Sequence, residues 1–325
     1  MIIKLKNKVR IIERSLLKKI CHVNTFRKGI RQLKMKRFLS FPSDVVIELT
    51  NSCNLDCIMC PRRQMKRGIG KMNFDLFMRI IDESVKGGAR RILPFLFGEP
   101  FIQSDIGRYL SYIRAKSKGI NISILTNGLL LNNEKMEILF ENKVNAIGVS
   151  LDAATQETYI AIRRNKGFQQ AEQNIKELLR LRKKRGASIP FIAVQFVAMK
   201  DNMHEVEAFR QKWEGIVDSV NFGGYSDMAR GVEPFINPSG LKPVPCFRLW
   251  NELIICNDGK VALCCKDWDC SITLGDVNNQ SLIDIWNSKA LHDIRDKHLM
   301  HQRGDLSLCS KCYPEEWDSS PSWWY

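Results

Sequence analysis

Residues 44–60 read DVVIELTNSCNLDCIMC, an apolar run suited to a buried strand followed by a loop with three cysteines, Cys53, Cys57 and Cys60, inside eight residues. Thiols at this spacing have three candidate occupants: a zinc ion, disulfides, or an iron–sulfur cluster. Tetrahedral zinc takes four ligands, and the five histidines (His22, His204, His292, His298 and His301) all lie elsewhere in the chain. Three thiolates on one short loop can instead hold three irons of a [4Fe–4S] cluster and leave the fourth iron open to a small molecule.

Outward from this stretch the same texture recurs. The runs RILPFLF, NISILTN, AIGVSLD, PFIAVQFVAM and SVNFGGY read as five further buried strands. Helical patterns near 73–86, 104–118, 133–141, 167–186 and 202–214 lie between them, with Asn73, Ser104 and Asn133 as candidate caps. Strict strand–helix alternation predicts an α/β fold with a parallel sheet and helices outside. Six units are too few for an eight-stranded barrel, so a partial (β/α)6 TIM-type barrel is expected over residues 41–240. Functional residues of such a sheet gather in the loops after the strands, where the cysteine triplet sits.

Composition narrows the class. The chain has 44% hydrophobic and 26% charged residues, and no apolar run long enough to span a membrane. Its formal charge of +15 is uneven. Residues 1–40 form a basic amphipathic arm with 13 Lys/Arg and one acidic residue, while the remaining 37 basic and 34 acidic residues nearly cancel. A body-wide nucleic-acid footprint is therefore not expected. The arm reads as helix packed on the body, with peripheral membrane contact as the sharper alternative. Eleven clustered cysteines of odd number, without an export signal, point to a cytoplasmic, reducing setting and to metal ligation.

Past residue 240 the alternation stops. LKPVPCF reads as a linker, NELIICNDGKVALCC as a hairpin turning at Asn257-Asp258-Gly259, and SLIDIWNSKALHDIRDKHL as one helix, before a loop with Cys309 and Cys312. Residues 241–325 are thus expected to form a small α+β domain with an aromatic tail carrying Trp317, Trp323, Trp324 and Tyr325.

The C-x3-C-x2-C spacing resembles the radical S-adenosylmethionine (SAM) superfamily, and the loops follow that resemblance in strand order. Gly98-Glu99 is similar to the family's GGE segment, with FGEP in place of the double glycine; Glu99 would accept from the methionine amino group. Ser150, together with Asp152, matches the ribose position, and Arg163 the carboxylate-pairing arginine, with Arg164 as the neighbouring option. Met59 stands where an aromatic residue usually flanks the adenine. The tail is similar to the SPASM/Twitch auxiliary-cluster domain, which implies Cys246, Cys264, Cys309 and Cys312 as ligands of a second, closed [4Fe–4S] cluster; Cys256, Cys265 and Cys270 are spare. A zinc ribbon is the structural alternative there.

The resemblance implies a radical oxidoreductase that cleaves SAM to a 5′-deoxyadenosyl radical, fed by an electron donor such as flavodoxin or ferredoxin. The single auxiliary cluster is similar to the aminocyclitol (2-deoxy-scyllo-inosamine) dehydrogenase type. It implies oxidation of a secondary alcohol on a sugar, aminocyclitol or glycan. The alternatives are an epimerase with Cys265 as hydrogen donor, a peptide or protein maturase, and a non-enzymatic iron–sulfur or zinc binding module. No precursor-binding domain is recognised ahead of the barrel, which weighs against the maturase.

Overall fold

The structure, a computed structural model, describes residues 40–224, 245–310 and 312. The basic arm, most of the linker and the aromatic tail lie outside the described residues. All six expected barrel strands are present: Asp44–Ile47 (β1), Arg91–Leu93 (β2), Asn121–Thr126 (β3), Ala146–Ser150 (β4), Phe191–Ala198 (β5) and Ser219–Gly224 (β6). They pair in parallel in chain order. Val45, Val46 and Ile47 are all buried, as a parallel strand covered on both faces requires.

Helices occupy the connections. Phe74–Gly87 (α1) starts at Asn73, whose side chain accepts from the Asp75 and Leu76 N–H groups, and ends at Gly88 with φ +85°. Ile106–Lys116 (α2) begins one residue later than Ser104 would dictate. Asn133–Glu141 (α3) is capped by Asn132, not Asn133. The sequence pattern missed Gln156–Arg163 (α4), a short helix capped by Thr155. Phe168–Lys184 (α5) and Val206–Trp213 (α6) complete the barrel's outer layer among the described residues.

The C-terminal part begins with Glu252–Ile255 (β7), which pairs in parallel with β1, Val45 opposite Leu253. Lys260–Ala262 (β8) and Thr273–Asp276 (β9) continue antiparallel, giving one sheet ordered β6-β5-β4-β3-β2-β1-β7-β8-β9. The expected turn is there, with Gly259 at φ +93°, a value few other residues adopt. The six-stranded order leaves one side of β1 unpaired, and β7 supplies its missing backbone partners. The single helix expected next is two, Leu282–Trp286 (α7) and Lys289–Leu299 (α8), because Ser288 caps a fresh start by accepting from Leu291 N. Among the described residues no helix is long and apolar enough to cross a membrane.

Candidate active site

The three cysteines leave β1 on a loop fastened from several sides. Arg62 donates through Nε to the Asn51 carbonyl (3.0 Å) and through Nη1 to that of Leu55 (2.9 Å). Asn51 binds Gly68 O and Gly70 N across the same loop, at 2.9 and 2.8 Å, and Ile58 N donates to Ile162 O at 2.9 Å. Cys57 is buried, while Cys53 and Cys60 are half-buried. Burial pushes the Cys53 thiol up to about 11 and raises that of Cys60. Thiolates here need compensating positive charge, which cluster irons supply.

The loop after β2 packs directly on this one. Glu99 N donates to Ser52 O at 2.8 Å, and a Cβ at Gly98 would come within 2.1 Å of the Thr50 carbonyl. That approach explains a glycine before the glutamate. Glu99 is 2% exposed. Its Oε1 accepts from Phe101 N (3.2 Å) and Thr126 Oγ1 (2.7 Å), and its Oε2 from Asn127 N (2.8 Å). Burial outweighs these bonds and pushes its carboxyl up to about 6.

Asp152 and Arg163 meet as an ion pair. Asp152 is fully buried at φ +60° and pairs with Arg163 at 2.5 Å. Its Oδ1 also accepts from Val197 N at 2.7 Å. Arg163 donates through Nη1 to Cys57 Sγ at 3.5 Å, while its buried Nε has no partner among the described residues. The carboxylate this arginine grips is therefore Asp152's, leaving Nε for a further acceptor. Burial pushes the Asp152 carboxyl up even against the Arg163 charge. Met59 packs with Ile58 and Val197 against Ile162 and Met199.

A cavity of about 390 Å³ opens beside the cysteine loop. Cys53, Cys57, Met59, Cys60, Gly98, Glu99, Ser150 and Arg163 line one end; Asp152 is not among the lining residues. Gln195 and Asn221 also line it, in register with Ser150 across β4, β5 and β6. Sequence reading missed both, although their signal was available: a single polar residue inside each apolar strand run. The Asn221 Nδ2 is buried without a partner among the described residues, a donor awaiting an acceptor. Apolar walls at Val46, Leu93, Leu125 and Ile254 lead to the far end, where Arg91, Arg248, Glu252 and Cys265 stand. Arg91 and Glu252 both sit opposite Asp44, the first residue of β1, so the cavity runs the length of the strands. Charges at that end are paired, Arg91 with Asp44 at 2.6 Å and Arg248 with Glu252 at 2.7 Å.

Beyond that end lie the C-terminal thiols. Cys246 precedes the 3-10 turn Phe247–Trp250, Cys264 follows β8, and Cys309 sits in the short helix Ser307–Ser310 with Cys312 N donating to its carbonyl at 3.2 Å. Burial first, then the nearness of Cys312, pushes Cys246 up to about 12; the same two causes push Cys309 up to about 11. Cys264 is raised by burial, then by Cys265, Cys246 and Cys312. These mutual effects place the four thiols in one neighbourhood, where Arg248 offsets part of the charge at Cys246, and Arg303 and Lys266 part of it at Cys309. Among the described residues no group of three His, Cys, Asp or Glu is placed to hold a single metal ion; a cubane with an iron at each corner spreads its thiolates wider than one ion does.

Two further features surround this quartet. Cys246 N donates to His298 Nδ1 at 3.2 Å, and burial pushes the His298 imidazole down to about 4. Cys256 and Cys270, expected to be spare thiols, are bridged to each other. The hairpin tip and the loop after β8 fold onto one apolar cluster with Val46 and Phe95, which brings the two together. Cys265 packs against that cluster and stays free.

A family model of the radical SAM superfamily matches residues 47–212. The chain belongs to the radical SAM superfamily. A second model, an iron-sulfur cluster-binding (SPASM) domain, matches residues 246–313. The radical SAM domain implies a [4Fe–4S] cluster with SAM, and the SPASM domain implies auxiliary iron–sulfur clusters; the thiols of the cysteine triplet, which line the cavity, and the C-terminal thiols, which lie beyond its far end, are residue types that suit such clusters.

Among curated relatives, the tungsten-containing aldehyde ferredoxin oxidoreductase cofactor-modifying protein of Pyrococcus furiosus is 31% identical over 163 residues, 49% of this chain and 45% of its own length. The antilisterial bacteriocin subtilosin biosynthesis protein AlbA of Bacillus subtilis is 24% identical over 313 residues, 84% of this chain and 67% of its own. The chain thus spans less than half of the first relative and about two thirds of the second. Among solved structures, BtrN in complex with AdoMet and 2-DOIA superposes with TM-score 0.55 at 17% identity, over 84% of this radical SAM chain and 93% of that one. SuiB of Streptococcus suis superposes with TM-score 0.64 at 18% identity, over 84% and 72%. At these identities the likeness is one of fold.

Proposed function

We propose that this chain is a radical SAM dehydrogenase that oxidises a secondary alcohol of a sugar or aminocyclitol. The observation that carries the reading is the single cavity with Cys53, Cys57 and Cys60 at one end and Cys265, next to Cys264, at the other. A substrate seated between them lies within reach of both groups.

In this reading Cys53, Cys57 and Cys60 hold the SAM-binding cluster. Glu99 accepts from the SAM amino group, Ser150 with Gln195 and Asn221 bonds its ribose, Arg163 Nε reaches its carboxylate, and Met59 packs on the adenine. Cys246, Cys264, Cys309 and Cys312 hold the auxiliary cluster. When bound, the first cluster and SAM supply a 5′-deoxyadenosyl radical and the auxiliary cluster an electron sink. The chain's own residues orient the substrate and exclude water. Hydroxyl groups find partners in the polar ends of the cavity, while its apolar middle suits the C–H face of a ring.

The deciding experiment supplies the anaerobically reconstituted, reduced chain with SAM and a panel of aminocyclitols and sugar alcohols. A product lighter by two hydrogens, formed with 5′-deoxyadenosine, supports dehydrogenation. An isomer carrying one solvent deuterium would replace it with epimerisation. Cys265 favours that second reading, because its free thiol lines the cavity and could return a hydrogen atom. Turnover only of peptides would align the chain with structural neighbours such as SuiB, solved with a precursor peptide.

A further inference from the structure

His298 stands on α8 with 1% of its surface exposed. Its Nδ1 accepts the Cys246 main-chain N–H at 3.2 Å. An imidazole nitrogen that accepts carries no proton, so the ring's proton sits on Nε2. Nε2 is buried and has no hydrogen-bond partner among the described residues. A buried donor is costly to leave unpaired, and an orphan of this kind asks for an explanation.

The surroundings supply one. On one side the ring touches the Cys246 main chain; the Arg303 charge acts both on the ring and on the Cys309 thiol. His298 therefore stands among the groups that surround the auxiliary thiols, with one N–H unspent.

We propose that His298 Nε2–H donates a hydrogen bond to the cluster held by Cys246, Cys264, Cys309 and Cys312, at a sulfide or thiolate sulfur, and raises its reduction potential. The proposal rests on the ligand set put forward above. A donor to sulfur stabilises the more negative, reduced state, so the potential moves upward. That direction suits a cluster whose task is to accept an electron. The Nδ1 contact gives the ring its orientation, locking the tautomer as a partner on the far nitrogen does for histidines at metal sites.

The test uses the full-length chain with Cys53, Cys57 and Cys60 all changed to Ala, so that only the auxiliary cluster titrates. Its midpoint potential is read by EPR-monitored redox titration. His298→Leu is expected to shift the midpoint to a more negative value with iron content kept at about four per chain, and His298→Gln to fall between it and the parent. An unchanged midpoint in a cluster-loaded His298→Leu overturns this proposal alone. A triple-alanine parent that binds no cluster removes the ligand set, and the proposal with it. Pulsed EPR of the same parent, labelled with ring-15N histidine and reduced, gives a readout that does not depend on the leucine variant folding. One histidine nitrogen coupled to the cluster, and lost in His298→Gln, is the expected signature; no coupling in the parent overturns the proposal.

Discussion

The two cysteine groups of this chain are built in opposite ways. Cys53, Cys57 and Cys60 come from one loop, held by neighbours such as Arg62 and Asn51, and open onto a cavity. Cys246, Cys264, Cys309 and Cys312 come from three separate segments, joined only once the hairpin and the C-terminal helices have packed. The first set has three thiols and lines a cavity; the second has four, and among the described residues near it only the adjacent Cys265 reaches the cavity. A cavity-lining set kept on a local loop suits a site that must take in a ligand and release it. Closure by distant segments suits a site that must hold its contents and pass electrons.

The strongest way to break this contrast is to remove one thiol from each set. Cys57→Ala is expected to abolish 5′-deoxyadenosine formation, whereas Cys264→Ala should still cleave SAM while losing about four irons per chain; product chromatography with iron analysis reads both. Equal loss of SAM cleavage in the two variants would end the division of labour.

A smaller but still large effect is expected behind the first set. Asp152→Asn leaves the buried Arg163 charge without its counter-ion, at a cost of about 3–5 kcal/mol. Thermal unfolding should show a marked fall in midpoint, and Cys57 should lose the orientation of its arginine donor. An unshifted midpoint would mean that Arg163 finds another partner. Gly98→Ala drives a methyl into the Thr50 carbonyl, and backbone shifts of that kind cost about 1–3 kcal/mol. SAM affinity by equilibrium dialysis should fall more than global stability does, because the strain lands on the cysteine loop.

The mildest test concerns pH. Glu99 is raised from 4.5 to about 6 by burial, so the stability it contributes is present below pH 4.5 and lost as pH rises through 6. Its usefulness to SAM runs the other way, since only the carboxylate attracts an ammonium group. SAM affinity should therefore rise about tenfold from below to above pH 6, and Glu99→Gln should flatten the profile. A wild-type profile with no step near 6 would remove Glu99 from the amino-group role.

Much of this was legible before any coordinates. Each barrel strand announces itself as an apolar run because both its faces are covered, and the cysteine triplet is readable because its residues are neighbours in sequence. What pairing decides was not legible. Nothing local in ELII says that it will lie beside β1, and Gln195 with Asn221 become a row with Ser150 only through register. The Asp152–Arg163 pair joins a strand end to a helix too short to show a clear period. Ser288 looked like a helix interior until its hydroxyl proved to be a cap. Cys256 and Cys270 meet only because two loops share one apolar cluster.

The seating of β7 beside β1 also bears on where this protein can be cut. A chain stopped before residue 245 would retain every barrel strand yet bare the flank of β1, a row of unpaired amides and carbonyls flanked by Val45, Val46 and Ile47. Such an edge invites another strand. The excised barrel should therefore self-associate into sheet-rich aggregates, so solubility, as well as electron flow, would depend on the C-terminal hairpin.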